Sequence, residues 1–307
     1  MKKILCFRNS KLGDYLISIP ALVLIRKKNP NCKIYYLTSR SKFYKNLPKK
    51  LGKKLIIDEF IFYENNFKSI IRLFFKLRSL EIQKFYYLQE KSNLYRELRD
   101  FIFFFLINIK KRYGFFTKKK NYKKFSETMQ ITGRVDKKIT KKQIKLFSKI
   151  SLIKETPLYK FNYITISIGG FSQKKIWEIK NWSILIKLIL SNYNFKIVIL
   201  GTKEDIDSAR YLSLIDKKKI FSLCGKTNIE QLLNLIKFSK IHITNDNGSM
   251  HISSLFSKKS ICLFNNHDPE GKWYPLNDNA TIIRHKLGIS LIKPILVFKK
   301  INKILNF

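Results

Sequence analysis

The sequence predicts an α/β protein of two domains, each built on a parallel sheet. Its 307 residues exceed what one ordinary core organises, since domains contain about 100–200 residues. Short apolar runs alternate twice along the chain with longer stretches of helical periodicity. A lysine-rich, weakly periodic region at 117–160 separates the two series. We therefore expect domains at residues 1–155 and 156–307, with the linker close to Glu155.

In the first domain, apolar runs predict strands at 3–7, 33–38, 55–57 and 85–88, and periodicity predicts helices at 15–26 and 92–109. Pro20 lies within the first helix, where its missing amide is expected either to kink the helix or to mark a tightened first turn. The second helix is rich in phenylalanine and runs into Lys110, Lys111 and Arg112. Two interpretations remain open: its apolar face is buried in the domain, or the aromatics and adjacent cations dock on anionic headgroups.

The second domain continues the alternation, with predicted strands at 163–168, 195–200, 219–224, 241–244 and 260–264 and helices at 181–191, 203–214, 229–238 and 250–256. This order is typical of a doubly wound sheet, which binds ligands at the carboxyl ends of its strands. We therefore expect the site in a cleft between two Rossmann-like domains. The last helix is expected to pack back on the N-terminal domain.

The charge is strongly unbalanced, with 62 Lys and Arg against 21 Asp and Glu, a formal net charge of +41. One explanation is a polyanionic partner, such as phospholipid headgroups, lipid-linked phosphates or nucleic acid. The other is a genome rich in A and T, because lysine, isoleucine, asparagine and phenylalanine, all abundant here, have A/T-rich codons. Both explanations remain open.

The longest apolar run, at 101–109, is far shorter than the roughly 20 residues that a membrane-spanning helix needs. Arg8 and Asn9 interrupt the first apolar stretch too early for a signal peptide. The four cysteines are scattered, without metal-ligand spacing, and are typical of buried thiols in a reducing compartment. A cytoplasmic location is therefore expected.

The segment TNDNGSMH at 244–251 carries the strongest local signal, because a strand runs through it directly into a helix. Amides at a helix start suit a diphosphate, and Gly248 permits close approach of the phosphate. Asp246 is a candidate acceptor of hydrogen bonds from sugar hydroxyls. A plain helix cap accounts equally for these residue types.

The loop RNSKLGD at 8–14 follows the first strand in the same way. Gly13 permits a tight turn, and Asp14 at the helix start is a candidate general base for an acceptor hydroxyl. A helix cap is the alternative. The two roles conflict in part, because a helix N-terminus favours the ionised carboxylate and so weakens it as a base.

The third candidate is the loop after the strand YITISI, where Gly169 and Gly170 are followed by Lys174 and Lys175. A lysine there can neutralise a leaving diphosphate, although in so basic a chain a surface lysine is the simpler interpretation. The four histidines form no cluster at metal-ligand spacing, so no metal site is expected.

Together these segments resemble glycosyltransferase family 9, the ADP-heptose:lipopolysaccharide heptosyltransferases. The residues that carry the resemblance are LGDYLISIP at 12–20, KIW at 175–177 and DNGSMH at 246–251, supported by KRYGF at 111–115, LCGKTNIEQL at 223–232 and DPEGKWYP at 268–275. They span nearly the whole chain in order. Asn247, Glu178 and the pair Asn265 and Asn266 depart from the family pattern, which leaves the identity of the donor sugar open.

The resemblance implies a GT-B fold and an inverting, metal-independent transfer without a cofactor. The donor is a nucleotide diphosphate sugar, ADP-heptose first, and the acceptor a lipid-linked glycan such as the lipopolysaccharide core. The N-terminal domain would bind the acceptor and the C-terminal domain the donor. Asp14 would be the catalytic base. The implied donor residues are Lys175, Glu204, Asp246, Asn247, Gly248, Ser249, Met250 and His251, and the implied acceptor or phosphate loop contains Arg8, Ser10, Lys11 and Gly13.

Within that set, Asp246 would contact the sugar, the backbone at 247–251 the diphosphate, and Glu204 the ribose. His251 is equally well explained as a packed helix residue. Two alternatives to transfer remain: a family member that binds nucleotide sugar without transferring it, and a basic nucleic-acid-binding protein. The second lacks any recognition motif in the chain, so no nucleic-acid partner is expected. An anionic membrane surface, at the inner face of the inner membrane, is an expected partner.

Overall fold

The computed structural model describes residues 1–9, 11–39, 50–51, 54–90, 93–118, 120–148 and 156–305. The chain forms two compact units, Met1–Ile153 and Lys154–Phe307. The predicted linker position at Glu155 lies outside the described residues. Among the described helices, none has both the length and the apolar composition required to cross a bilayer.

The first unit contains a five-stranded parallel sheet in the order β5-β2-β1-β6-β7. Its elements are β1 Lys3–Phe7, α1 Leu12–Lys28, β2 Lys33–Ser39, β3 Lys50–Leu51, β4 Lys54–Leu55, β5 Glu59–Tyr63, α2 Phe67–Ser79, β6 Lys84–Tyr87, α3 Leu94–Leu106, β7 Lys111–Tyr113, α4 Glu127–Val135 and α5 Lys141–Ser148. Because all five strands run in one direction, the loops after β1 and β6 share one edge of the sheet.

The two faces of this sheet are covered by different helices. On one face, Phe7 and Phe85 pack with Leu73 and Leu77 of α2 and with Phe104 of α3. On the other, α1 lies against the sheet through an edge-on contact of Tyr15 with Tyr36, and α4 and α5 pack on α1. Alternating side chains of each buried strand thus serve two separate cores.

Two sequence predictions for this unit were wrong, and one region holds helices that were not predicted. Residues 56 and 57 are buried but lie outside the parallel sheet, and the next strand of that sheet along the chain is β5. The basic cluster after α3 is partly a strand, β7, and no helix extends to residue 109. The region at 117–160 contains α4 and α5, whose apolar residues Ile131 and Ile144 are buried. Their periodicity is weak in the sequence because α4 has few apolar residues and α5 is rich in lysine.

The second unit contains a six-stranded parallel sheet in the order β10-β9-β8-β11-β12-β13. Its elements are β8 Tyr163–Ser167, α6 Ile179–Asn192, β9 Lys196–Leu200, α7 Ile206–Ser213, β10 Ile220–Ser222, α8 Ile229–Phe238, β11 His242–Asn245, α9 Gly248–Leu255, β12 Ser260–Phe264, β13 Ala280–Arg284 and α10 Pro294–Leu305, with short 3-10 turns at Gln173–Lys175, Lys203–Asp205 and Ile289–Leu291. The predicted helix at 203–214 is divided between the second of these turns and α7.

Two tryptophans anchor the core of this unit. Trp177 and Trp182 are fully buried, with ring centroids 5.0 Å apart in an edge-on contact. Trp177 Nε1 also donates to the carbonyl of Ile292 at 3.0 Å. The last helix, α10, packs on α6 of the same unit. These contacts fix the segment between β8 and α6, which carries Lys175.

Candidate functional site

Lys175 lies between two carboxylates at the carboxyl edge of the second sheet. Its Nζ is 2.6 Å from Asp246 Oδ2 and 2.7 Å from Asp268 Oδ2. The three residues come from the loops after β8, β11 and β12. In a parallel sheet those loops meet at one edge, which brings together side chains far apart in sequence. We call these three residues the lysine clamp.

The three side chains of the clamp are largely buried, and each charged group shifts the pKa of its neighbours. Burial alone would lower the pKa of Lys175, but Asp246 and Asp268 together raise it. Burial raises the pKa of Asp246 and outweighs the charge of Lys175. Asp268 is less buried, and its contacts with Lys175, Asn265 and Trp273 together outweigh burial and lower its pKa. The ammonium therefore stays charged at neutral pH.

Asn247 caps α9 and connects it to the loop after β8. Its Oδ1 accepts from the amide of Ser249 at 2.9 Å and from Ser249 Oγ at 2.7 Å. Its Nδ2 donates to the carbonyl of Gly169 at 2.8 Å. The cap proposed from the sequence is therefore present, and it leaves the start of α9 beside the clamp residue Asp246. A helix start is a suitable site for a phosphate group.

A buried histidine, His242, supports this cap through a contact with Ser249. His242 Nε2 lies 2.9 Å from Ser249 Oγ, and its Nδ1 lies 2.9 Å from Thr165 Oγ1. Burial, with a smaller contribution from Lys258, lowers the pKa of His242 to about 3. The ring is therefore neutral at physiological pH, with each nitrogen beside a hydroxyl that can donate or accept.

The remaining predicted donor residues lie at the same edge with different exposures. Gly248 and Met250 are in the first turn of α9, where amides have no intrahelical acceptor. The Met250 side chain is fully buried against Cys262 and Phe264, so it cannot reach a ligand. His251 is also buried. Glu204 is exposed after β9, the strand next to β8.

Asp268 is a site residue that the sequence motifs did not identify. It lies in DPEGKWYP, which supported the family resemblance but was assigned no role. The loop before it is fixed by Asn265, whose Oδ1 accepts from the amide of His267 at 2.6 Å. Arg284 also donates to the carbonyl of Asp268 at 2.7 Å. The sequence signal that could have identified Asp268 is its position after β12, the strand adjacent to β11.

In the first unit, Asp14 is held by a buried arginine. Arg8 is 1% exposed, and its Nη2 donates to Asp14 Oδ1 at 2.9 Å. Arg8 Nη1 donates to the carbonyl of Leu88 at 2.6 Å. Asp14 Oδ2 accepts from the amide of Lys11 at 3.1 Å. One third of the Asp14 side chain remains exposed, at 31%, so the carboxylate is both fixed in place and open to solvent.

The loop before α1 differs from its prediction. Gly13 is inside α1, one residue before Asp14, and makes no tight turn. Arg8, which the resemblance places in the acceptor or phosphate loop, is buried and donates to Asp14. Lys11 is exposed, and Ser10 lies outside the described residues. Sequence reasoning also missed Glu127, whose buried Oε1 is 3.9 Å from the Arg8 guanidinium.

No group of three or more His, Cys, Asp or Glu side chains is arranged to hold a metal ion within the described ranges. The two polar clusters, around Asp14 in the first unit and Lys175 in the second, consist instead of carboxylates paired with Arg and Lys.

Comparison with known proteins agrees with the fold and with these motifs. The family model for glycosyltransferase family 9 (heptosyltransferase) matches residues 101–291. Lipooligosaccharide heptosyltransferase 2 of Campylobacter jejuni is 25% identical over 294 residues, 90% of this chain and 85% of that protein. Lipopolysaccharide heptosyltransferase 2 of Salmonella typhimurium is 27% identical over 150 residues, 48% of this chain and 41% of that protein.

Among solved structures, the E. coli ADP-heptose lipopolysaccharide heptosyltransferase II superposes with a TM-score of 0.73 at 18% identity, covering 100% of this chain and 99% of that one. At that identity the likeness establishes the GT-B fold, with its two parallel-sheet domains. The family model covers well over half of the chain and includes the lysine clamp. The chain therefore belongs to glycosyltransferase family 9, the heptosyltransferase family, and is a glycosyltransferase.

Proposed function

We propose that this chain transfers a heptose from ADP-heptose to a lipid-linked glycan, the lipopolysaccharide core or a related structure, with inversion at the anomeric carbon. The lysine clamp is the observation that carries the proposal. It holds an ammonium beside the start of α9, where a nucleotide diphosphate would meet two sources of positive charge. The names of the relatives in Campylobacter, Salmonella and E. coli support heptose as the sugar.

In this proposal the second unit binds the donor. The Lys175 ammonium and the first amides of α9 offset the charge that develops on the diphosphate as the glycosidic bond breaks. Asp246 and Asp268 hold Lys175 in place and offer carboxylate oxygens to sugar hydroxyls. Glu204, exposed at the same edge, contacts the ribose. Charge stabilisation of this kind requires no metal ion, so transfer should persist in the presence of EDTA.

The first unit binds the acceptor, and Asp14 is its catalytic base. The exposed part of the carboxylate removes the proton from the acceptor hydroxyl as that oxygen attacks the anomeric carbon from the side opposite the diphosphate. The buried Arg8 and the Lys11 amide orient the carboxylate without covering it. The glycan carrying that hydroxyl is lipid-linked, which places the reaction at the inner face of the inner membrane.

Transfer to a water-soluble core oligosaccharide, followed by release of ADP, tests the base. Asp14→Asn should lower kcat by about 10²-fold or more, the usual range for a general base. Asp58→Asn is the matched control, because Asp58 pairs with Arg26 of the same unit at the opposite edge of the sheet. Normal turnover by Asp14→Asn would remove Asp14 from the mechanism.

The donor half of the proposal is tested by calorimetric titration of ADP-heptose into the chain without acceptor. Lys175→Met should raise Kd at least tenfold, whereas Lys174→Met, in the same turn but exposed, should leave Kd unchanged. Tight binding of ADP-heptose by the wild-type chain without any ADP release on addition of acceptor would favour a family member that binds the donor and does not transfer it.

A further inference from the structure

Two neighbouring helices of the first unit expose an unusual amount of apolar surface. On α2, Phe67, Ile71 and Phe75 are 78%, 41% and 64% exposed. On α3, Leu98, Ile102 and Phe105 are 46%, 48% and 57% exposed. We call these six side chains the α2–α3 face. Large apolar surfaces that remain in water usually mark a binding site.

The six side chains lie on one surface of the unit. Both helices cover the same face of the sheet, to which α2 contributes Leu73 and Leu77 and α3 contributes Phe104. The helices touch each other through Phe74 and Phe103, with ring centroids 6.1 Å apart. Phe67, Ile71 and Phe75 are spaced four residues apart and form a continuous row along α2.

A row of cations runs beside the apolar row. Lys68, Arg72 and Lys76 are exposed, and each follows one member of the row Phe67, Ile71 and Phe75 by one residue. The cations therefore share the same four-residue spacing and lie along one flank of the apolar row. At the far end of α3, the Arg112 guanidinium lies 5.1 Å from the ring centroid of Phe105.

The carboxylates of these helices do not offset that charge. The sequence of α2 contains no Asp or Glu. Both acids of α3 are buried: Glu97 accepts from the amide of Phe116, and Asp100 accepts from Tyr87 Oη at 3.0 Å. The outward surface of α2 and α3 therefore presents apolar and cationic groups without exposed carboxylates from either helix.

We propose that the α2–α3 face docks on the surface of an anionic phospholipid bilayer. The apolar rows enter the boundary between headgroups and acyl chains, while the cation row pairs with lipid phosphates, as in an amphipathic helix that lies in the membrane plane. Charge complementarity selects this occupant. A second copy of the chain would bring two like rows of cations together in a molecule with a formal net charge of +41, whereas anionic lipid neutralises them.

This proposal rests on the proposed function in one respect: a lipid-linked acceptor explains why the chain would bind a membrane. The binding test itself needs neither donor nor acceptor. The full chain is sedimented with phosphatidylcholine vesicles that contain phosphatidylglycerol. The wild-type chain should bind them, and the triple variant Phe67→Ser, Phe75→Ser, Ile102→Ser should bind at least ten times more weakly. All three residues are exposed, so the midpoint of chemical denaturation should not fall.

Two further variants make the result specific. Lys68→Gln, Arg72→Gln, Lys76→Gln should also weaken binding, and should remove its dependence on phosphatidylglycerol. The control Tyr211→Ser, Leu214→Ser changes two side chains of the second unit that are equally exposed, and should bind as the wild type does.

Three results would overturn the assignment. In the first, the wild-type chain does not sediment with phosphatidylglycerol vesicles. In the second, the apolar triple variant binds the vesicles as well as the wild type does. In the third, the wild-type chain self-associates in vesicle-free buffer and the triple variant does not. The last would assign the face to a second copy. Transfer to the water-soluble acceptor is measured separately, so that loss of docking and loss of catalysis are distinguished.

Discussion

The guanidinium of Arg8 donates to Asp14 at 2.9 Å from a position that is 1% exposed. Removal of a buried cation withdraws the charge that offsets its anionic partners, of which the Glu127 side chain is only 2% exposed. Arg8→Met should therefore lower the free energy of unfolding of the first unit by about 3 kcal/mol, measured by chemical denaturation. Arg99→Met is the matched control, because the Arg99 side chain is 65% exposed in its pair with Asp100, and a surface pair contributes below about 1 kcal/mol. Equal losses in the two variants would contradict this prediction.

The cap of α9 should contribute both to stability and to donor binding. Asn247→Ala removes the acceptor of the Ser249 amide and should cost about 1–2 kcal/mol of unfolding free energy. Asn228→Ala removes the corresponding cap of α8, where Asn228 accepts from the amide of Gln231 at 2.8 Å, and should cost a similar amount. Only Asn247→Ala should raise the Kd of ADP-heptose in calorimetry. Equal donor affinities in the two variants would show that the start of α9 does not bind the diphosphate.

The neutral His242 makes stability depend on pH. Its pKa is lowered from the ordinary histidine value of 6.5 to about 3 by burial, so below pH 6.5 the unfolded chain binds a proton that the folded chain does not. Stability should therefore fall as pH decreases from about 6.5 toward 3, by about 2 kcal/mol at pH 5. His242→Gln should show a smaller fall between pH 7 and pH 5 in denaturation experiments. His267→Gln, which changes an exposed histidine, should keep the wild-type dependence.

Gly169 should tolerate no side chain. A Cβ there would lie 2.5 Å from Asp205 Oδ2, and that oxygen cannot easily move because it accepts from the Thr202 amide at 2.7 Å. Gly169→Ala should therefore cost about 1–3 kcal/mol of stability. Gly133→Ala is the contrasting case, since a Cβ added at this position of α4 would have no heavy atom within 4 Å outside its own helix backbone and chain neighbours. It should stabilise the chain by about 0.5–1 kcal/mol, as thermal denaturation would show.

The buried strands of the two sheets were predictable because both of their faces are covered. Runs such as β1 and β12 are apolar at nearly every position, which is the pattern of a parallel sheet with helices on both sides. The strand β7, KRY, carries no such signal, since an edge strand needs little burial and tolerates cations. Helices α4 and α5 were not predicted, because each buries only a narrow apolar stripe and its hydrophobic periodicity in the sequence is therefore weak.

Individual residues of the candidate site were predictable from the sequence, but the contacts between them were not. Lys175 and Asp246 were each selected by local motifs, but their contact depends on the order of strands β8, β11 and β12 in the sheet, which the local pattern does not contain. Asp268 was overlooked for the same reason. The position of Gly13 within α1 was mistaken because a glycine signals a turn only where the backbone requires it.

The α2–α3 face should also affect how the solubility of the purified chain depends on salt concentration. At low ionic strength the large positive charge keeps molecules apart, whereas at about 1 M salt the Debye length shrinks to about 3 Å and that repulsion vanishes. Sulfate additionally strengthens the burial of apolar groups. Solubility should therefore be highest in dilute buffer, and ammonium sulfate should precipitate this chain at a lower saturation than it precipitates a chain whose helices α2 and α3 bear serine at Phe67, Phe75 and Ile102.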